Sequence, residues 1–151
     1  MTAHPERRAR GTRSGRPLRT RLAPPSGAQP PAQVLTPDGG MVDVRELAQE
    51  VCRRYRGEYP DEEQRYGPAG DAWCVHDNRH ILQWALLDPR GLVVLADQVT
   101  WLAEILDARD FPLDRLRRDL QICADVIEET RQPWAPDVAR RLRAATTAVP
   151  G

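Results

Sequence analysis

Apolar residues return at steps of three and four from Val44 onward: Val44, Leu47, Ala48, Val51 and Tyr55. Those steps keep side chains on one face of an α-helix. The pattern predicts a first amphipathic helix, ended by Gly57 and Pro60. The polar run EYPDEEQRYGPAG reads as a connector. A second helix is expected from about Pro68 to Leu87, where Asp88-Pro89 gives a stop and then a cap and first-turn proline for a third. The third helix should bury Leu92, Leu95, Ala96, Val99, Leu102, Ala103 and Leu106 as one broad stripe. Phe111-Pro112 punctuates again. Asp114 suits the positive first turn of a fourth helix, whose face is Leu113, Leu116, Leu120, Cys123, Ala124 and Ile127. Gln132-Pro133 ends it, and Ala135-Pro136-Asp137 opens a short last helix with Val138, Leu142 and Ala145.

No segment sustains a period of two, and no Asn-Gly or Asp-Gly turn joins two candidate strands. The expectation is therefore all-α: a four- to five-helix bundle of largely antiparallel neighbours joined by short loops. Residues 41–148 form its single domain. Residues 1–40 are rich in Pro, Gly, Ser and Arg and hold no aromatic residue. Such a segment buries too little apolar surface to offset its ordering entropy, so it reads as a disordered tail.

Charge sharpens that division. The net charge is zero, yet residues 1–25 hold seven Arg against one Glu. The rest is mildly acidic. A basic tail can meet phosphate, so nucleic acid enters as a partner only through this segment. No apolar run approaches the ~20 residues of a membrane span. The three cysteines, Cys52, Cys74 and Cys123, are widely spaced with no CxxC pairing. They read as buried reduced thiols of a cytoplasmic protein.

The chemistry concentrates in WCVHDNRH, residues 73–80. On a helical projection Trp73, Asp77, His80 and Trp84 fall within about 60° of one another, with His76 at the margin. Three readings follow. In the first, these residues form a structural polar cluster in which Asp77 and His80, three apart, pair beneath Trp73 and Trp84. In the second, His76 and His80 chelate a metal or haem, with Cys74 as a further candidate ligand; no cofactor is otherwise expected. In the third, HDNRH is a variant of the H-E-x-x-H zinc-hydrolase helix with Asp in place of Glu. Its third ligand would be Glu104, 24 residues beyond His80. Periodicity puts Glu104 on the polar side of its helix, which counts against that reading. No catalytic residue is assigned, and the expectation leans to a non-enzyme.

Cys74, Asp77, His80 and Leu82, then Asp88, Val99, Trp101, Leu102 and Leu106, then Ala108, Arg109, Phe111 and Pro112 make a longer pattern. Over about residues 70–128 it resembles a helical module of actinobacterial proteins that accompanies cobalamin-binding and other regulatory domains. The resemblance implies a sensory or protein-interaction role. It does not carry corrinoid binding over, because no D-x-H-x-x-G element or Gly-rich α/β segment is present.

A partner surface is also visible. Val94, Trp101 and Ile105 lie almost opposite the leucine stripe of the third helix. Exposed, they would seat a protein partner or a second copy around Trp101. Ile122 and Val126 lie similarly off the main face of the fourth helix. Arg109 is expected to pair with Asp110 or Asp114, or to stay solvated.

Overall fold

The computed structural model describes residues 29–151. Six α-helices occur among them: α1 (Val44–Glu58), α2 (Glu62–Tyr66), α3 (Ala69–Leu87), α4 (Leu95–Ala108), α5 (Leu113–Glu129) and α6 (Ala135–Ala144). The all-α expectation holds. Five of the helices are those read from periodicity, and α2 is a five-residue turn of helix inside the expected connector.

Among the described residues, regular structure is present before position 41. Strands β1 (Gln33–Leu35) and β2 (Met41–Asp43) pair antiparallel, with Val34 opposite Val42. Asp38-Gly39 does lie in the turn between them. Gly39 takes φ +93°, a conformation that glycine adopts without strain. Thr36 closes the loop: its N–H donates to the Gly40 carbonyl at 2.8 Å and its hydroxyl accepts from Gly40 N at 2.9 Å. Strands of three residues are too short to show a period of two, which is why the pattern missed them. Val34 is buried. Arg79 of α3 donates to the carbonyls of Pro31 (3.0 Å) and Pro30 (2.7 Å), tying this edge to the bundle. The disordered tail and its nucleic-acid role, as far as they concern residues 1–28, lie outside the described residues.

Local sequence explains the helix ends. Asp43 caps α1 by accepting from Glu46 N at 3.0 Å, satisfying a donor the first turn leaves orphaned. Asp88 leaves α3 in a 3-10 turn (Asp88–Arg90) and then accepts from Leu95 N at 2.9 Å, at the start of α4. Gly91 at φ +73° reverses the chain in between. This turn displaces the start of the third predicted helix. Leu92 therefore sits in a loop, 64% exposed, and not in the buried stripe.

α3 is the central element. It packs against α1, α4, α6 and β1, and α2 lies over its N-terminal end. That is the arrangement a helix without one dominant apolar face requires. α5 packs on α1 and α6. This burial covers Ile122 and Val126, so the second apolar line of α5 is internal. Leu142, on α6, is fully buried in the same core.

Leu142→Ala is expected to cost about 2–5 kcal/mol, whereas Leu92→Ala should stay within about 0.5 kcal/mol. Paired urea titrations test this. Equal midpoints for the two variants would contradict the burial described.

Candidate functional site

α3 presents two different faces of WCVHDNRH to two sets of neighbours. Toward α1 and α5 it sends Cys74 and Asn78. Asn78 is 2% exposed. Its amide has two N–H bonds, and the two oxygen acceptors in reach are the Cys74 carbonyl (3.1 Å) and Asp119 Oδ1 of α5 (3.2 Å). Sulfur atoms of Cys52 and Cys74 lie alongside, at 3.5 and 3.4 Å from the same nitrogen. The Cys123 thiol donates to Asn78 Oδ1 at 3.2 Å. All three cysteines thus meet at one asparagine.

Two of them are not free thiols. Cys52 and Cys74 form a disulfide between α1 and α3, with Cα atoms 6.1 Å apart, a separation that suits such a bond. The expectation of three reduced cysteines is corrected for this pair. Its reason is spatial: residues 22 apart in sequence are brought together by helix packing. Cys123 remains free and buried, and burial pushes its thiol up.

Toward α4, the helix sends Trp73, His76, Asp77, His80 and Trp84. These aromatic rings form a line. The His76 and His80 centroids are 4.9 Å apart, His80 and Trp84 are 5.9 Å apart, and Trp84 meets Trp101 of α4 edge-on at 6.5 Å. Asp77 Oδ1 lies 3.5 Å from Nδ1 of its sequence neighbour His76. Arg109, at the end of α4, places its guanidinium 5.5 Å from the Trp73 ring centre. It forms neither of the ion pairs expected with Asp110 and Asp114. The chain reverses directly after it through Asp110, at φ +61°, with Phe111 N donating to the Leu106 carbonyl at 2.9 Å. A turn conformation of that kind was not legible in the sequence.

Between the two faces lies a cavity of about 50 Å³. Its polar lining is Tyr55 of α1, Glu62 of α2, Trp73, Asp77 and Asn78 of α3, and Asp119 of α5. Ile81, Leu102, Leu106, Phe111 and Leu116 supply apolar wall. The Tyr55 hydroxyl, Trp73 Nε1 and Asp77 Oδ1 are buried and have no hydrogen-bond partner among the described residues. Burial raises the pKa of Asp77, opposed by His76 and Arg109. Asp119 is raised to about 7, chiefly by burial, with the Asn78 hydrogen bond opposing and the charges of Asp77 and Glu62 adding to it. Tyr55, Glu62 and Asp119 were not singled out from sequence. Each reads there as an ordinary member of an amphipathic helix or connector.

Among the described residues no group of three or more His, Cys, Asp or Glu side chains is placed to hold a metal ion. Glu104, the third ligand a zinc-hydrolase helix would need, is exposed on α4. Cys74 is held in the disulfide, on the other side of α3 from His76 and His80. Comparison with protein-family models, curated proteins and solved structures finds no match for this chain.

The raised Asp119 pKa has a definite sign. The folded protein holds this proton more tightly than the unfolded chain. Its contribution to stability is complete below the unfolded carboxylate range near ~4 and is lost as pH rises through about 7. Asp119→Asn should flatten that decline, gaining on the native protein between about pH 5 and about pH 8. Parallel denaturation curves across that window check it; an unchanged slope would contradict it. The disulfide closes a loop of 22 residues, so its reduction should cost about 3 kcal/mol. Thermal melts with and without a phosphine reductant measure this, and coincident curves would count against the bond.

Proposed function

We propose that this chain is a small non-enzymatic helical interaction module, regulatory in role, whose partner face is the outer side of α4. One observation carries the reading. Trp101, the largest residue of that side, remains 37% exposed even though its ring rests against the buried Trp84. Val94 beside it is 55% exposed and Ile105 is half-buried. Exposed Leu92 adjoins them in sequence. A large aromatic held by a rigid neighbour and surrounded by aliphatic residues is the usual anchor of an interface. The resemblance to helical modules that sit beside regulatory domains points the same way.

The charge on α4 narrows the partner. Its 14 residues include Asp97, Glu104 and Asp107, all exposed, and no basic residue. Two copies meeting through this face would set carboxylates against carboxylates, which disfavours a homodimer here. A different protein offering an Arg- or Lys-rich segment with apolar anchors complements it. No helix among the described residues is long and apolar enough to cross a membrane. Cytosolic reductants open disulfides, so the cytoplasmic location read from the sequence goes with the dithiol form of Cys52 and Cys74.

Photocrosslinking tests the reading. Benzoylphenylalanine placed at position 101 in the source cells should capture a basic segment of another protein. The same probe at Arg140, exposed on α6, should not. Capture of a second copy through position 101, or no product above the position 140 level, would overturn it.

A further inference from the structure

We infer that the cavity between α1, α3 and α5 is a binding site for a small protonated amine of about four heavy atoms that also carries a neutral acceptor such as a hydroxyl. This site is separate from the α4 face and does not rest on the interaction reading. Its size sets the first limit: about 50 Å³ is room for roughly three or four water-sized groups.

The lining sets the chemistry. Tyr55 and Trp73 are each more than nine-tenths buried, and both present a polar atom with no hydrogen-bond partner among the described residues. Trp73 Nε1–H can only donate, so the occupant must accept. Asp77 Oδ1 is equally unpartnered by hydrogen bonds and, as a carboxylate oxygen, accepts. Asp119 is a buried carboxyl that receives Asn78 and forms no ion pair among the described residues. Of the neighbouring arginines, Arg115 is bound to Asp61 and Glu62, and Arg109 lies over the Trp73 ring and forms no ion pair among the described residues.

Other ligand classes fit less well. An anion would meet Glu62, Asp77 and Asp119. A metal ion would need a three-residue donor group, and none occurs among the described residues. A purely apolar molecule would leave the Trp73 N–H and Tyr55 O–H unpaired. An ammonium group at Asp119 and Asp77, a hydroxyl at Trp73 and Tyr55, and two methylenes against Leu102 and Leu106 would satisfy the unpartnered groups of the lining. Ethanolammonium has that composition. The way in is short, because a surface groove of about 190 Å³ beside α2 shares Tyr55, Glu62, Gly70 and Cys74 with the cavity.

The test is an NMR titration of the full chain, following the indole N–H resonances, with that of Trp73 assigned by its loss in Trp73→Phe. Ethanolammonium chloride should move the Trp73 resonance saturably. Sodium acetate and 1-propanol, which lack the positive charge, should not. Asp119→Asn should weaken the binding about tenfold or more, the loss of one charge-assisted hydrogen bond. The inference fails if the native protein shows no saturable shift, or if 1-propanol or acetate acts equally, as in a cavity that holds water only. It fails also if folded Asp119→Asn binds undiminished. Should that variant not fold, the native titration and its two controls decide alone.

Discussion

A single buried amide, that of Asn78, organises the centre of this protein. It lies on α3 where α1 and α5 converge, bonds to Asp119, accepts from Cys123 and touches both sulfurs of the Cys52–Cys74 bridge. An unsatisfied amide in such a place would be costly. Register follows from that cost: sliding α3 by one residue past α5 would break the bond to Asp119. The aliphatic core around Val51, Leu82, Leu120 and Ile127 supplies area but little direction. Asn78 supplies the direction.

The rim repeats the same tie in weaker form. Arg118 of α5 grips Glu58 of α1 with two bonds of 2.7 and 2.8 Å, and Arg54 of α1 grips Glu129 of α5 at 2.9 and 2.6 Å. The two clamps leave α1 one turn apart, at its C-terminal end, and reach positions eleven residues apart on α5. Each is solvent-facing and therefore contributes modestly. Their paired geometry still favours one alignment of the helices, because a planar guanidinium meets a carboxylate edge best in one orientation. Arg115 does the same for α2, holding Asp61 and Glu62. That clamp keeps Glu62 at the cavity wall.

Polar groups that serve packing and polar groups left over are separated within one helix. Asn78 and the disulfide close the α1–α5 side, where their hydrogen bonds and covalent link are complete. On the α4 side the rings of His76, His80, Trp84 and Trp101 run from the cavity region to the surface. Buried polar atoms without a hydrogen-bond partner among the described residues lie at the cavity, on Tyr55, Trp73 and Asp77, and beyond its lining, on Tyr66, His76 and Arg109. A fold that satisfies its amide so fully and still leaves three such atoms around one small cavity is spending stability there. Locations of that kind are where binding sites are found.

The sequence alone determined the helical architecture, because a 3.6-residue period in the apolar positions is a local property and Asp88-Pro89, Phe111-Pro112 and Gln132-Pro133 mark its interruptions. It placed Trp73, Asp77, His80 and Trp84 together for the same reason: they share one helix. It also marked Val94, Trp101 and Ile105 as lying off the buried stripe, though not whether another helix covers them. What it could not contain was any relation between helices. The three cysteines lie 22 and 49 residues apart in sequence, and only the approach of α1 and α5 to α3 brings them to one amide. Asp119 looks like one more acid on an amphipathic helix until that packing removes its water. The β1–β2 hairpin escaped because three-residue strands carry no readable period. Local periodicity is encoded residue by residue, whereas burial, pairing and the cavity depend on which faces meet, and only the folded chain decides that.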